Sequence, residues 1–263
     1  MKEDVIVSIW NERQARSKLE NLSHGAAGTR IALFSGPVGL GKTTIDHHLC
    51  LEHDGVWIEA LPDWTAAWML RDIAGELGAQ RARSSESNFR AIVGALQMRP
   101  RPLFIDEADR LARKLSLAET LRAIHDATTN PLVLIGMRDF PRAVRALPQL
   151  ESRVSAWVEF RPCDFRDTKL LASELCEGVT LEDDLIKQVQ QITNGTVRSI
   201  KIALDRIESF ANRRGKKKVA LSDLPEDSDV FYVLVRKPSL PEGIGAGKHV
   251  YQVQVDGSIK RLQ

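Results

Sequence analysis

Residues Gly36-Pro37-Val38-Gly39-Leu40-Gly41-Lys42-Thr43 fit the pattern G-x-x-x-x-G-K-[ST], and this segment restricts the fold of the 263-residue chain more than any other. Its four fixed positions match by accident in roughly one chain in a hundred of this length. The pattern works as a turn between a buried strand and a helix, and the flanks supply both. Arg30 to Ser35 is a short apolar run, and Thr43 to Glu52 reads as a helix. Successive backbone N–H groups and the positive end of that helix then cradle a triphosphate. Lys42 reaches the β and γ phosphates, and the Thr43 hydroxyl binds Mg²⁺. The expected nucleotide-binding positions are Gly36, Pro37, Val38, Gly39, Leu40, Gly41, Lys42, Thr43 and Thr44.

The length suffices for one sizeable core and a smaller unit. No stretch has the length of a bilayer-spanning helix, and the start lacks the basic and apolar regions of a signal peptide, so a soluble, cytoplasmic protein with no membrane partner is expected. Cys50, Cys163 and Cys176 lack metal-ligand spacing and are too few for a disulfide framework. His47 and His48 are adjacent on a helix and point apart, which argues against a metal pair. A net charge of +2 does not announce nucleic-acid binding; only the placement of charge could.

Short apolar runs alternate with helical patterns over the first part of the chain, the signature of an α/β fold with a parallel sheet between helical layers. The expected strands are Arg30 to Ser35, Val56 to Ala60, Pro102 to Ile105, Pro131 to Ile135 and Trp157 to Phe160. The expected helices between them are Thr43 to Glu52, Thr65 to Leu77, Ser87 to Met98, Leu117 to Thr128 and Phe140 to Arg145. From Arg161 the pattern turns to helices only: Phe165 to Cys176 with Asp164 as N-cap, Leu181 to Ile192, and Thr196 to Asn212. After residue 224 the chain is β-rich again at Val230 to Val235 and His249 to Val255, around the Pro/Gly-rich stretch Pro238 to Gly247. Asp256-Gly257 suits a tight hairpin turn there. Three parts follow: a nucleotide-binding core with an N-terminal helix (1–160), a small helical unit (161–224) and a C-terminal β extension (225–263).

Leu103-Phe104-Ile105-Asp106-Glu107 is an apolar strand ending in two carboxylates, some sixty residues after Lys42. Beside a phosphate loop, Asp106 would hold Mg²⁺ through its water shell. Glu107 would orient and deprotonate the water that attacks the γ phosphate. This pair, with the loop, resembles the Walker motifs of AAA+ ATPases, and the helical unit after Arg161 resembles their lid. The resemblance implies ATP as the nucleotide and hydrolysis as the reaction. It also implies that Arg198, in Gly195-Thr196-Val197-Arg198, senses the nucleotide in cis. Arg153, in Ser152-Arg153, then stands where the family places an arginine finger acting on the neighbouring subunit's ATP.

Within that family the segment Leu121 to Pro162 is similar to the DNA transposition regulators of the phage Mu B and TnsC type. Replication initiators and secretion ATPases of the ExeA type share much of the core. The transposition resemblance implies a homo-oligomer, ring or helical filament, that assembles on double-stranded DNA without sequence preference and recruits a transposase or another transposition protein. Candidate phosphate-contacting cations are Arg81, Arg83, Arg110, Arg113, Lys114 and the cluster Arg213, Arg214, Lys216, Lys217, Lys218; the cluster reads equally as a helix end with a glycine stop. One position departs from the family. Met137 stands where a polar residue usually helps to place the attacking water, so turnover is expected to be slow unless Arg138 takes the role. That departure keeps open an ATP-gated scaffold with little turnover, and the wider family keeps open a replication loader or a secretion ATPase.

Overall fold

The structure is a computed structural model that describes residues 1–2, 5–24, 26, 28–112, 114–224, 251–253 and 259–261. Arg113, the run Val230 to Val235, the Pro/Gly-rich stretch and the Asp256-Gly257 turn lie outside the described residues. In chain order the first part holds α1 (Trp10–His24), β1 (Ile31–Ser35), α2 (Lys42–Glu52), β2 (Val56–Glu59), α3 (Ala66–Glu76), α4 (Ser85–Met98) and β3 (Leu103–Asp106). It continues with α5 (Asp109–Ala112), α6 (Leu115–Thr128), β4 (Leu132–Gly136), α7 (Phe140–Arg145), α8 (Pro148–Glu151) and β5 (Val154–Glu159). Then come α9 (Phe165–Leu175), β6 (Thr180–Leu181), α10 (Asp183–Ile192), α11 (Val197–Arg213) and β7 (Lys218–Val219), and finally β8 (Tyr251–Val253) and β9 (Ile259–Arg261).

The first five strands form one parallel sheet in the order β2-β3-β4-β1-β5. Strands buried on both faces read as unbroken apolar runs, and β1, β3 and β4 are buried along their whole length. Alternate side chains then feed two cores. Ala32, Phe34, Phe104, Val133 and Ile135 join one cluster, while Ile31, Leu33, Ile105, Leu132 and Leu134 join the other. The first is closed by α1, α2 and the lid helices, the second by α3, α4, α6 and α7, which completes the three layers. β1 is an interior strand between β4 and β5, and the loop that follows it opens onto the sheet's C-terminal edge. There β3 delivers Asp106 and β4 delivers Met137.

The lid departs from the helices-only expectation. β6 and β7 pair in parallel, Thr180 with Lys218 and Leu181 with Val219. Two-residue strands carry no periodicity, so the pairing leaves no trace in the sequence pattern. Helix α11 buries Ile200, Ala203, Leu204, Ile207 and Ala211 at helical spacing, and Asp164 caps α9 by accepting from the Asp167 N–H at 2.9 Å. Helix α1 is fastened at the core–lid junction: Asn11 exchanges two hydrogen bonds with the Arg161 backbone, and the Trp10 N–H donates to Asp167. The Arg161 guanidinium lies 4.2 Å from the Trp10 ring centroid. β8 and β9 pair antiparallel, Tyr251 with Arg261, on either side of the expected hairpin turn. The three cysteines are buried and free, and burial pushes their thiols up to about 11 for Cys50 and about 12 for Cys163 and Cys176. His47 turns edge-on to Trp57 while His48 faces Glu52.

Candidate functional site

The phosphate loop leaves β1 and reaches α2 through Gly41, which holds φ 87° as the helix N-cap. A left-handed residue at that point costs little only for glycine. Gly39, at φ 84°, has a second constraint: a Cβ there would lie 2.8 Å from the Thr196 Cγ2 of the lid. The lid rests directly on the loop, because the Arg198 N–H donates to the Gly39 carbonyl at 3.0 Å. The Lys42 ammonium is held by the Gly36 and Pro37 carbonyls at 2.7 and 2.8 Å. Burial lowers its pKa, against the opposing pull of Asp106, Asp46, Asp109 and Glu107.

The Thr43 hydroxyl donates to Asp106 Oδ2 at 3.0 Å, and Asp106 Oδ1 accepts the Glu107 N–H at 2.8 Å. A hydroxyl and a carboxylate this close are two hard oxygen donors and fit Mg²⁺. No group of three or more His, Cys, Asp or Glu side chains among the described residues could hold a metal by itself. Mg²⁺ here would therefore lean on water and on nucleotide oxygens, which is its usual habit. Glu107 stands in the left-handed region at φ 54°, a conformation that a glutamate adopts only under constraint. Its carboxylate lies 3.7 Å from Arg110, which also faces Glu59 and the Ala60 carbonyl.

These groups meet around one cavity of about 320 Å³, at the small end of the range for ligand sites. Val38, Gly39, Gly41, Lys42, Thr43, Thr44, Asp106, Glu107, Met137 and Arg198 all line it. Arg138 does not, so it is not placed to replace the polar residue that Met137 lacks. Apolar side chains of Val5, Ile6, Val7, Ile9, Leu171 and Val197 also line the cavity. Residues 5–9 were not singled out from the sequence, although the apolar run was visible there. Two carboxylates were also missed. Asp109 accepts the Met137 N–H on both oxygens, at 3.1 and 2.8 Å, and fixes the end of β4 at the cavity wall. Asp46, one turn after Lys42, is fully buried with neither oxygen hydrogen-bonded. Burial first, and the charge of Asp106 second, raise its pKa well above the ordinary carboxylate value.

Other candidates lie elsewhere. Arg153 is engaged within its own subunit: it forms a two-pronged pair with Asp126, at 2.6 and 3.0 Å, and donates to the Gln149 carbonyl. Asp126 is lowered chiefly by that bond and Arg153 is correspondingly raised. Several expected phosphate-contacting cations are likewise occupied. Arg110 serves the carboxylates just described, and Lys114 donates to the Pro62 and Trp64 carbonyls. Lys216 pairs with Asp223 and Lys218 with Glu182, while Arg214 covers the Phe210 ring at 4.9 Å. Arg81 packs over Gly75. Arg83, Arg213 and Lys217 are exposed, with no ion pair among the described residues.

A parallel sheet in this order, a phosphate loop entering α2 and an Asp-Glu pair closing β3 define a phosphate-loop nucleotide-binding domain of the AAA+ class. The model of the family described as "AAA domain" matches residues 26–144, so that segment is similar to AAA domains. The chain is 26% identical over 234 residues to the replication factor C large subunit of Thermofilum pendens, covering 83% of this chain and 50% of that protein. It is 23% identical over 189 residues to the replication factor C small subunit of Picrophilus torridus, covering 70% and 55%. The chain thus spans about half the length of the curated relatives it matches. Among solved structures, Aeropyrum pernix ORC1 in complex with DNA superposes with a TM-score of 0.57 at 18% identity, over 88% of this chain and 65% of that one. Cdc6p from Pyrobaculum aerophilum gives 0.56 at 20%, over 79% and 62%. These likenesses in structure speak for the fold. No helix among the described residues is long and apolar enough to cross a membrane.

Proposed function

We propose that the protein is an ATP-hydrolysing, DNA-associated AAA+ ATPase of the replication-loader kind, with 1–160 as nucleotide-binding core, 161–224 as lid and 225–263 as an added β segment. The observation that carries the ATPase reading is the meeting of Lys42, Thr43, Asp106, Glu107 and Arg198 around one cavity that apolar side chains also line. Mg²⁺, held by Thr43 and through water by Asp106, would supply positive charge to the phosphates. Lys42 turns from the loop carbonyls to the β and γ phosphates. Glu107 orients the attacking water and takes its proton, and Arg198 brings the lid's charge to the same phosphates. Arg153 serves a neighbouring subunit's nucleotide only if assembly draws it away from Asp126.

The DNA and replication part rests on the relatives: the curated ones are replication factors, and one solved neighbour is in complex with DNA. That support favours a replication loader over the transposition reading, whose distinguishing partner would be a transposase. The test is phosphate release and electron microscopy of the full chain in ATP and in ADP, with and without duplex DNA. ATP-dependent closed rings with DNA-stimulated hydrolysis are expected. Continuous filaments coating the duplex would restore the transposition reading, and ATP hydrolysis indifferent to DNA would end both.

A further inference from the structure

Helix α11 offers two cations to the cavity, not one: Arg198 in its first turn and Lys201 one turn later. The two share a face, three residues and roughly 4.5 Å of helix axis apart. Lys201 is half-buried and has no ion pair among the described residues, although Asp205 stands four residues on, at pairing distance along a helix. The first turn of α11 contains no acidic residue. A cation in the first turn of a helix opposes the dipole, so Arg198 is unfavourably placed until an anion enters. Val197 and Arg198 both sit at the loop: a Cβ on Gly41 would lie 3.8 Å from Val197 Cγ1, and the Arg198 N–H donates to the Gly39 carbonyl. Lys201 lines the same cavity one turn further along the helix.

We infer that Lys201 is a second nucleotide-binding cation of the lid, contacting the phosphates that ATP and ADP have in common. The inference rests on the ATP-site reading above. It gives the lid a division of labour: Lys201 holds either nucleotide, and Arg198 responds to the terminal phosphate. A lysine suits the first task because its ammonium is a mobile point charge with three donors.

Calorimetric titration of the full chain with ADP and with Mg–ATP, at low and high salt, compares wild type with K201Q and K201R. K201Q is expected to weaken both nucleotides by the same factor, about tenfold, and to make ADP affinity less sensitive to salt. K201R should stay near wild type, and the unliganded melting temperature should not move. Unchanged ADP affinity overturns the inference, as does a loss confined to ATP. A loss accompanied by a lower melting temperature that K201R fails to restore also overturns it, assigning Lys201 to lid packing. Wild-type protein that binds neither nucleotide would instead overturn the ATP-site reading itself, a result distinct from a wild type that binds and a K201Q that binds equally well.

Discussion

The two ends of α11 carry similar cations in opposite circumstances. At its C-terminal end, Arg214, Lys216 and Lys218 follow the helix dipole and have partners in Phe210, Asp223 and Glu182. At its N-terminal end, Arg198 works against the dipole, and neither it nor Lys201 one turn later has an ion pair among the described residues. Charge that is already balanced stabilises locally and has little left to offer a ligand, whereas charge held in an unfavourable place is relieved by one. The dense basic cluster in the sequence marks the end of the helix away from the cavity. The compositionally modest N-terminal turn is the one that faces the cavity.

The largest test of this contrast removes the anion's anchor. Lys42→Ala is expected to weaken ATP by about 100-fold or more, since two charge-assisted contacts are lost, and nucleotide-dependent assembly should go with it, because the cationic end of the lid then has nothing to close on. Titration with Mg–ATP checks this; affinity within a few-fold of wild type would remove the phosphate-loop assignment. Glu107→Gln separates binding from chemistry. Phosphate release should fall by about 100- to 10 000-fold with ATP affinity kept, and loss of both together would make Glu107 structural.

How much of this was legible in the sequence depends on distance along the chain. The loop and the Asp106-Glu107 pair are local patterns whose spacing follows from strand-loop-helix geometry, and both arrived where expected. The sheet did too, with β5 starting at Val154 rather than near Trp157, because the register slips between Ile31 and Ala32 extend its pairing with β1. What could not be read depends on contacts between distant segments. Residues 5–9 reach the cavity only because α1 is pinned at Arg161. Asp109 matters only because β4 ends beside it. Arg153 looked available until α6 presented Asp126.

A smaller effect is expected from the unsatisfied buried carboxyl of Asp46, one turn after Lys42. Asp46 has a folded pKa above its unfolded value, so its native state binds the proton more tightly. The stability this gives is fully present below the unfolded value and is lost as pH rises through the folded one. Asp46→Asn, which cannot ionise, should therefore gain on wild type as pH rises from about 4 towards neutrality. Asp46→Leu, which removes the unsatisfied group, should raise stability at neutral pH by about 1–3 kcal/mol. Urea midpoints at acid and neutral pH measure both. A wild-type and Asn variant with parallel profiles would mean that Asp46 is not a buried neutral acid.

The smallest effect belongs to the far end of α11. Replacing Arg213, Arg214, Lys216, Lys217 and Lys218 by Gln should leave ATP affinity within about twofold of wild type, because charge at that distance from the cavity is screened. Its consequence for DNA is decided by the salt slope of duplex binding, to which each cation that displaces counterions from phosphate adds about 0.9. Three of the five are committed to Phe210, Asp223 and Glu182, leaving Arg213 and Lys217, so the slope should change by no more than about 2. A change of about 4 or more would show that DNA draws the paired cations from their partners. The contrast between the two ends of the helix would then hold only for the free protein, and the basic cluster would rank as a phosphate-binding surface after all.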